Sequence, residues 1–254
     1  MRTFVVGHLT VVVERTRSAL GAAAARRAAE VILRAQSRGR TVRAVFAAAP
    51  SQNEMLDSLV ATPGIDWSRV EAFHMDEYLG LPSEAPQLFR RYLHEHLFGR
   101  VPMGAVHLID GQSTDTAREC ARYGALLRAK PIDLVCLGIG ENGHLAFNDP
   151  PVADFQDPVL VKVVELDEAC RRQQVHDGAF ASVEEVPPTA LTLTIPALLG
   201  AEYLSAAVPG PAKAEAVRNT LEGPIATSCP ASILRTHPNA TLFLDDASAS
   251  LLGR

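Results

Sequence analysis

The chain has 254 residues, 47% of them hydrophobic and 21% charged, which supplies a sizeable core for one α/β domain over 1–254 and excludes a disordered or collagen-like chain. A net charge of −5, with Lys and Arg scattered along the sequence, gives no basic field for nucleic acid. No apolar run reaches the roughly 20 residues of a membrane span, and no signal-peptide core follows Met1 to Val6, so no membrane partner is expected and the expected location is the cytoplasm.

In chain order, Leu20, Ala24, Ala28, Val31 and Ala35 recur at steps of three or four and predict a helix over 15–36, ended by Gly39. An apolar strand over 42–48 leads through Pro50-Ser51 into a helix over 52–60, striped by Met55, Leu56 and Leu59. The alternation continues with strand 70–74, helix 87–98, strand 106–109, helix 114–128 and strand 132–137. Strands near 159–165, 190–194 and 203–208, a helix over 212–221 and a strand over 241–244 complete it, with an irregular Pro-rich stretch over 150–158. Parallel strands need crossover helices, so the pattern predicts a Rossmann-like three-layer α/β/α sandwich with a mostly parallel sheet. In such sheets ligands sit beyond the carboxyl ends of strands. Ser51, Asp76 and His144 all follow predicted strands and can meet in one crevice.

The four cysteines, Cys120, Cys136, Cys170 and Cys229, show no paired spacing and no histidine at a metal-ligand interval, so they read as reduced thiols. His94 and His96 lie two apart on a predicted helix and diverge, unlike a zinc-binding pair. Gly138-x-Gly140-x-x-Gly143 matches a dinucleotide fingerprint as a string. Pro150 and Pro151, however, interrupt any long helix after it, so the glycines instead let the backbone turn sharply toward a small ligand. His144 follows that turn with Asn142 and Asp149 on either side, the layout of an acid–base site. Asp76 and Glu77 end another strand among Phe73, Met75 and Tyr78, which would desolvate a carboxylate and raise its pKa toward that of a general base; one of the pair is expected to matter. Lys213 follows Pro209-Gly210-Pro211 at the start of a predicted helix, where free N–H groups and its own charge favour an anion. Ser51 is a helix N-cap candidate that could add donors to the same anion.

Met75-Asp76-Glu77-Tyr78-Leu79-Gly80-Leu81-Pro82 and Gly143-His144-Leu145-Ala146-Phe147-Asn148-Asp149-Pro150 together resemble the glucosamine-6-phosphate deaminase/isomerase family. Further agreement comes from Val186-Pro187 before Ala190-Leu191-Thr192, Lys213-Ala214 with Glu222-Gly223, and Ser228-Cys229 before His237-Pro238, in order over about 40–246. The resemblance implies ring opening, isomerisation and deamination of an amino-sugar phosphate, without a metal or redox cofactor. It assigns the C2 base to Asp76 and the ring-opening proton transfer to His144, oriented by Asp149 and assisted by Asn142. Ser51, Gly143 and Lys213 are the expected ligand-binding residues, with Arg171 or Arg172 as a stand-in for the family's arginine.

The sequence also departs from the family pattern. Ala48-Ala49-Pro50-Ser51 lacks the glycines of the phosphate loop, and the arginine expected before a Phe-Phe pair falls near Gly178 and Phe180. Asn142 stands where some members have Asp, and Asp149 where Glu is usual. A sugar-phosphate lactonase and a non-catalytic sugar-phosphate-binding protein are the competing readings. The oligomeric state, a homo-oligomer included, is left open.

Overall fold

A computed structural model describes residues 1–253. Its main sheet is built from β1 (Arg2–Val6), β2 (Leu9–Glu14), β3 (Val42–Phe46), β4 (Val70–His74), β6 (Ala105–His107), β7 (Leu134–Leu137), β10 (Tyr203–Val208) and β11 (Ala240–Asp245). Their order is β1-β2-β11-β10-β7-β3-β4-β6, parallel except for the β1–β2 hairpin. That hairpin has no counterpart in the sequence expectations.

Alternate residues of the central strands serve two apolar layers, because successive side chains point to opposite faces. Val42, Ala44 and Phe46 of β3 pack with Leu134 and Cys136 of β7 against α1 (Arg17–Ser37) and α2 (Asn53–Val60). Val45, Val135 and Leu137 face the other way, toward α4 (Thr116–Arg128) and α7 (Ala214–Glu222). The expected α/β sandwich is therefore present, its helices α1 and α4 starting on the side-chain caps Thr16 and Asp115.

Two expectations need correction. The segment 87–98 forms only a short helix, α3 (Phe89–Leu93), and then widens into a π turn over His94–Phe98. The strands expected near 159–165 and 190–194 do not join the main sheet. As β8 (Val161–Glu165) and β9 (Thr189–Leu193) they pair antiparallel with each other, and β5 (Asp76–Tyr78) completes a separate sheet in the order β5-β9-β8. The connecting segments include α5 (Glu168–His176) and α6 (Ile195–Leu199).

The main sheet has a point where the strand order reverses. From β3 the chain moves outward to β4 and β6, then returns to place β7 on the opposite side of β3. The carboxyl ends of β3 and β7 therefore flank an open crevice, the expected position for a ligand.

Candidate active site

A cavity of about 480 Å³ occupies that crevice. Ala47 to Ser51 enter it from the end of β3, Met75 and Asp76 from the end of β4, Gly138 to Gly140 from β7, and Lys213 from the turn after β10. His144, Ala146 and Phe147 close one side and the end of α5 closes another. The volume suits a small metabolite.

The glycine turn positions the imidazole through its own backbone. Gly140 N–H donates to the His144 carbonyl and Gly143 N–H donates to the Gly140 carbonyl, both at 3.0 Å. His144 Nδ1 then lies 2.9 Å from Asp149 Oδ1. Asn142 supports this pair: its Nδ2 donates to the same Asp149 oxygen at 2.9 Å, while its Oδ1 accepts from the His144 backbone N–H at 3.0 Å. Burial alone would push the Asp149 carboxyl up, but the contacts from His144, Asn142 and the Cys170 thiol together hold it below its ordinary range. A carboxylate kept ionised behind Nδ1 fixes the ring orientation and leaves Nε2 for chemistry in the cavity. Ala146, next in the loop, has φ of 51°, the one non-glycine residue with positive φ among the described residues. A left-handed alanine costs about 1–2 kcal/mol, and here it lies in the cavity wall.

Asp76 and Glu77 are separated by the alternation of β5. Glu77 turns inward, where its carboxylate accepts from the backbone N–H groups of Tyr78, Phe89 and Arg90 at 2.9 to 3.0 Å and so anchors the start of α3. Burial, opposed by those hydrogen bonds, pushes it up to about 7. Asp76 instead lines the cavity, only 7% exposed, and no hydrogen bond from the described residues reaches its side chain. Burial, with the Glu77 charge beside it, raises its pKa well above the ordinary value. An unpaired, desolvated carboxylate facing a ligand space is suited to accept a proton from carbon.

The Lys213 ammonium is buried at the cavity edge. Burial lowers its pKa, and the nearby Asp177 and Glu141 carboxylates oppose that shift. Ser51 Oγ accepts from Gln52 Nε2 at 3.0 Å, which leaves the hydroxyl hydrogen free to donate into the cavity.

A family profile described as glucosamine-6-phosphate isomerases/6-phosphogluconolactonase matches residues 15–243. The chain belongs to this family. It is 37% identical over 207 residues to a glucosamine-6-phosphate deaminase of Lactobacillus delbrueckii subsp. bulgaricus, covering 82% of this chain and 86% of the relative. A Bacillus thuringiensis glucosamine-6-phosphate deaminase is likewise 37% identical over 187 residues, 74% of this chain and 70% of the relative. Among solved structures, a monomeric glucosamine-6-phosphate deaminase superposes with a TM-score of 0.86 at 30% identity, covering 95% of this chain and 99% of that one. The 6-phosphogluconolactonase of Thermotoga maritima shares the fold, with a TM-score of 0.73 at 20% identity and coverage of 93% and 98%.

Within this family fold, the structure brings Asp76, His144, Ser51 and Lys213 to one cavity and keeps Asn142 and Asp149 directly behind it. Three residues expected to bind ligand are elsewhere. Arg171 donates to the carbonyls of Val183 and Val186, and Arg172 pairs with Glu168 on the outside of α5. Gly143 does not line the cavity; its φ of 85° makes the turn, and a Cβ there would meet Cys229 Sγ at 2.7 Å. The face of α5 that does reach the site carries Gln173 and Gln174, followed by Asp177. Their spacing from Cys170, at three, four and seven residues, is a helical stripe that the sequence already contains. Cys170 is also close to the acid–base pair. His144, Asp149 and Cys170 offer three metal-ligand atoms within 4.8 Å of one another, the one such group among the described residues.

Proposed function

We propose that the protein converts glucosamine 6-phosphate and water to fructose 6-phosphate and ammonia, a net hydrolytic deamination, in the cytosol. The observation that carries this reading is an unpaired buried carboxylate, Asp76, sharing one cavity with the His144–Asp149 pair. Relatives named as deaminases at 37% identity support the same assignment. His144 moves a proton between the anomeric hydroxyl and the ring oxygen, opening the sugar. Asp76 takes the C2 proton and returns it to C1, which leaves an iminium at C2. Water adds to that carbon, and ammonia departs as the C2 carbonyl forms. Lys213 and Ser51 hold the ligand end farthest from this chemistry, while Asn142 keeps Asp149 and the His144 backbone in register. Free thiols at all four cysteines are in keeping with a reducing compartment.

The test is ammonia release from glucosamine 6-phosphate, run beside the galactosamine epimer and 6-phosphogluconolactone, with Asp76→Asn protein as the blank. Ammonia from an amino sugar that vanishes in the variant supports the proposal. Lactone hydrolysis without ammonia refutes it.

A further inference from the structure

The wall of the cavity formed by α5 has a hydrogen-bonding order of its own. Gln173 is held at both ends of its amide: its Oε1 accepts from Glu141 N–H at 2.8 Å, and its Nε2 donates to Asp177 Oδ2 at 3.3 Å, which aims that carboxylate. Gln174 Oε1 accepts from the Tyr78 hydroxyl at 2.6 Å, so the amide nitrogen is the part of Gln174 left to donate to a ligand. Lining the same cavity, Lys213 and the Ser51 hydroxyl are further donors. Among the lining residues Lys213 is the one Lys or Arg, and Asp177 is the carboxylate that acts on it most strongly.

This end of the cavity therefore offers several donors and one carboxylate acceptor, with no surplus positive charge. A doubly ionised phosphate would bring two negative charges to a lysine already offset by Asp177. An oxygen that still carries its hydrogen fits better, because it can donate to Asp177 while its neighbours accept from Lys213, Ser51 and Gln174. We propose that Asp177 is a specificity-determining residue that selects a protonated oxygen at the ligand's C6 end, a singly ionised phosphate or a free hydroxyl, over a phosphate dianion. The proposal rests on the sugar-phosphate reading given above, and it adds the charge state in which that sugar binds.

Other titratable groups line the same space or lie beside it: Lys213 from the turn after β10, Tyr92 from α3, His144 and Asp76 line it, Tyr78 lies behind Gln174 through their hydrogen bond, and Glu141, 3.6 Å from His176, acts on Lys213. All of them persist when Asp177 is replaced, so a comparison of two proteins isolates its contribution. Glucosamine 6-phosphate is titrated calorimetrically at pH 6, 7 and 8 into Asp76→Asn protein, which suppresses turnover, and into the Asp76→Asn, Asp177→Asn double variant. With a second phosphate pKa near 6, the monoanion falls from about one half at pH 6 to about one hundredth at pH 8. The affinity of the protein that retains Asp177 is expected to fall about fiftyfold over that range, and that of the double variant to change by no more than about threefold. Unphosphorylated glucosamine is the second arm: binding at pH 8 that exceeds that of the phosphorylated sugar and is lost with Asp177 assigns the hydrogen to a free hydroxyl.

Equal pH dependence in the two proteins overturns the proposal, as does weaker binding of the sugar phosphate at pH 8 once Asp177 is gone, or no binding of either sugar. Because binding is read separately from turnover, the two readings can fail separately. Ammonia release by the unmodified protein together with equal profiles keeps the deaminase and removes the role of Asp177. Divergent profiles without ammonia release do the reverse.

Discussion

Replacing Asp76 by Asn keeps the size of the side chain while removing both its basicity and its charge, and the structure predicts opposite effects on rate and stability. As the proposed C2 base, Asp76 contributes a general-base step worth about 10²–10⁴ in rate, so kcat for ammonia release is expected to fall by that factor, equivalent to about 3–5 kcal/mol of barrier. Stability is expected to rise. The carboxylate is 7% exposed and has no hydrogen-bond donor among the described residues, so the folded chain disfavours its ionised form. Below its ordinary pKa, Asp76 is protonated in both the folded and the unfolded chain and contributes no pH-dependent penalty. Above it the unfolded chain ionises freely while burial disfavours ionisation of the folded carboxyl, so wild-type stability declines as pH rises from the ordinary toward the raised folded pKa. Removing a buried carboxylate that has no partner is worth about 1–3 kcal/mol, and at about 2–4 °C per kcal/mol for a chain of this size the Asn variant should melt about 2–12 °C higher at pH 7. Its advantage should shrink toward pH 4. Steady-state ammonia release and thermal unfolding at pH 4, 5.5 and 7 measure both effects. Unchanged kcat removes Asp76 from the chemistry, and a lower melting temperature at pH 7 refutes the picture of an unpaired buried charge.

Asp149→Asn should behave in the opposite way on stability: its carboxyl is held below the ordinary range, so its contribution is present above that range and lost as pH falls through the folded pKa. The variant should melt lower than wild type at pH 7 and lose on the order of 10² in kcat; a higher melting temperature would contradict the pairing with His144. Glu77→Ala strands the buried N–H groups of Tyr78 and Phe89 and the half-buried one of Arg90. At about 1–3 kcal/mol for each orphaned group, urea unfolding should register a loss of at least about 3 kcal/mol, and a loss under 1 kcal/mol argues against the anchoring role. Gly140→Ala places a Cβ 2.2 Å from His144 Cε1, so the imidazole must shift. A displacement near 1 Å can cost about 10²-fold in rate, so kcat should drop while circular dichroism still reports the native fold; wild-type kcat would sink this reasoning.

Strands 70–74 and 203–208 coincide with β4 and β10 because short apolar runs bounded by turns leave little choice of boundary. The hairpin of β1 and β2 was less legible. Leu9, Val11 and Val13 alternate properly toward the core, but Val12 between them breaks the apolar–polar contrast that marks a half-buried strand. For Asp76 and Glu77, period-two geometry dictates that only one of the two can enter the cavity. Which one depends on the pairing of β5 with β9, and that is a long-range contact. Arg171 and Arg172 show the converse. The search for the family's arginine drew the ligand assignment to them, yet helical spacing places Gln173, Gln174 and Asp177 on the Cys170 face and turns both arginines away.

Strand β9, located by the sequence pattern but not its partners, also explains how two distant motifs come to lie together. Thr192 is the register partner of Asp76 in the small sheet, and its Oγ1 accepts from the backbone N–H of Phe147 at 3.0 Å. One residue on, the Leu193 N–H donates to the Met75 carbonyl at 2.7 Å, and the Leu193 carbonyl accepts from Asn148 Nδ2 at 2.8 Å. Two consecutive residues thus tie the strand that carries the proposed base to the loop that carries His144 and Asp149. A β9 inserted in the main sheet would spend its hydrogen bonds on parallel neighbours and leave those two segments independent. Its antiparallel placement holds the segments of Asp76 and His144 together through one backbone hydrogen bond and the Thr192 and Asn148 side chains, so the separation of the proposed base and imidazole is set within the folded chain.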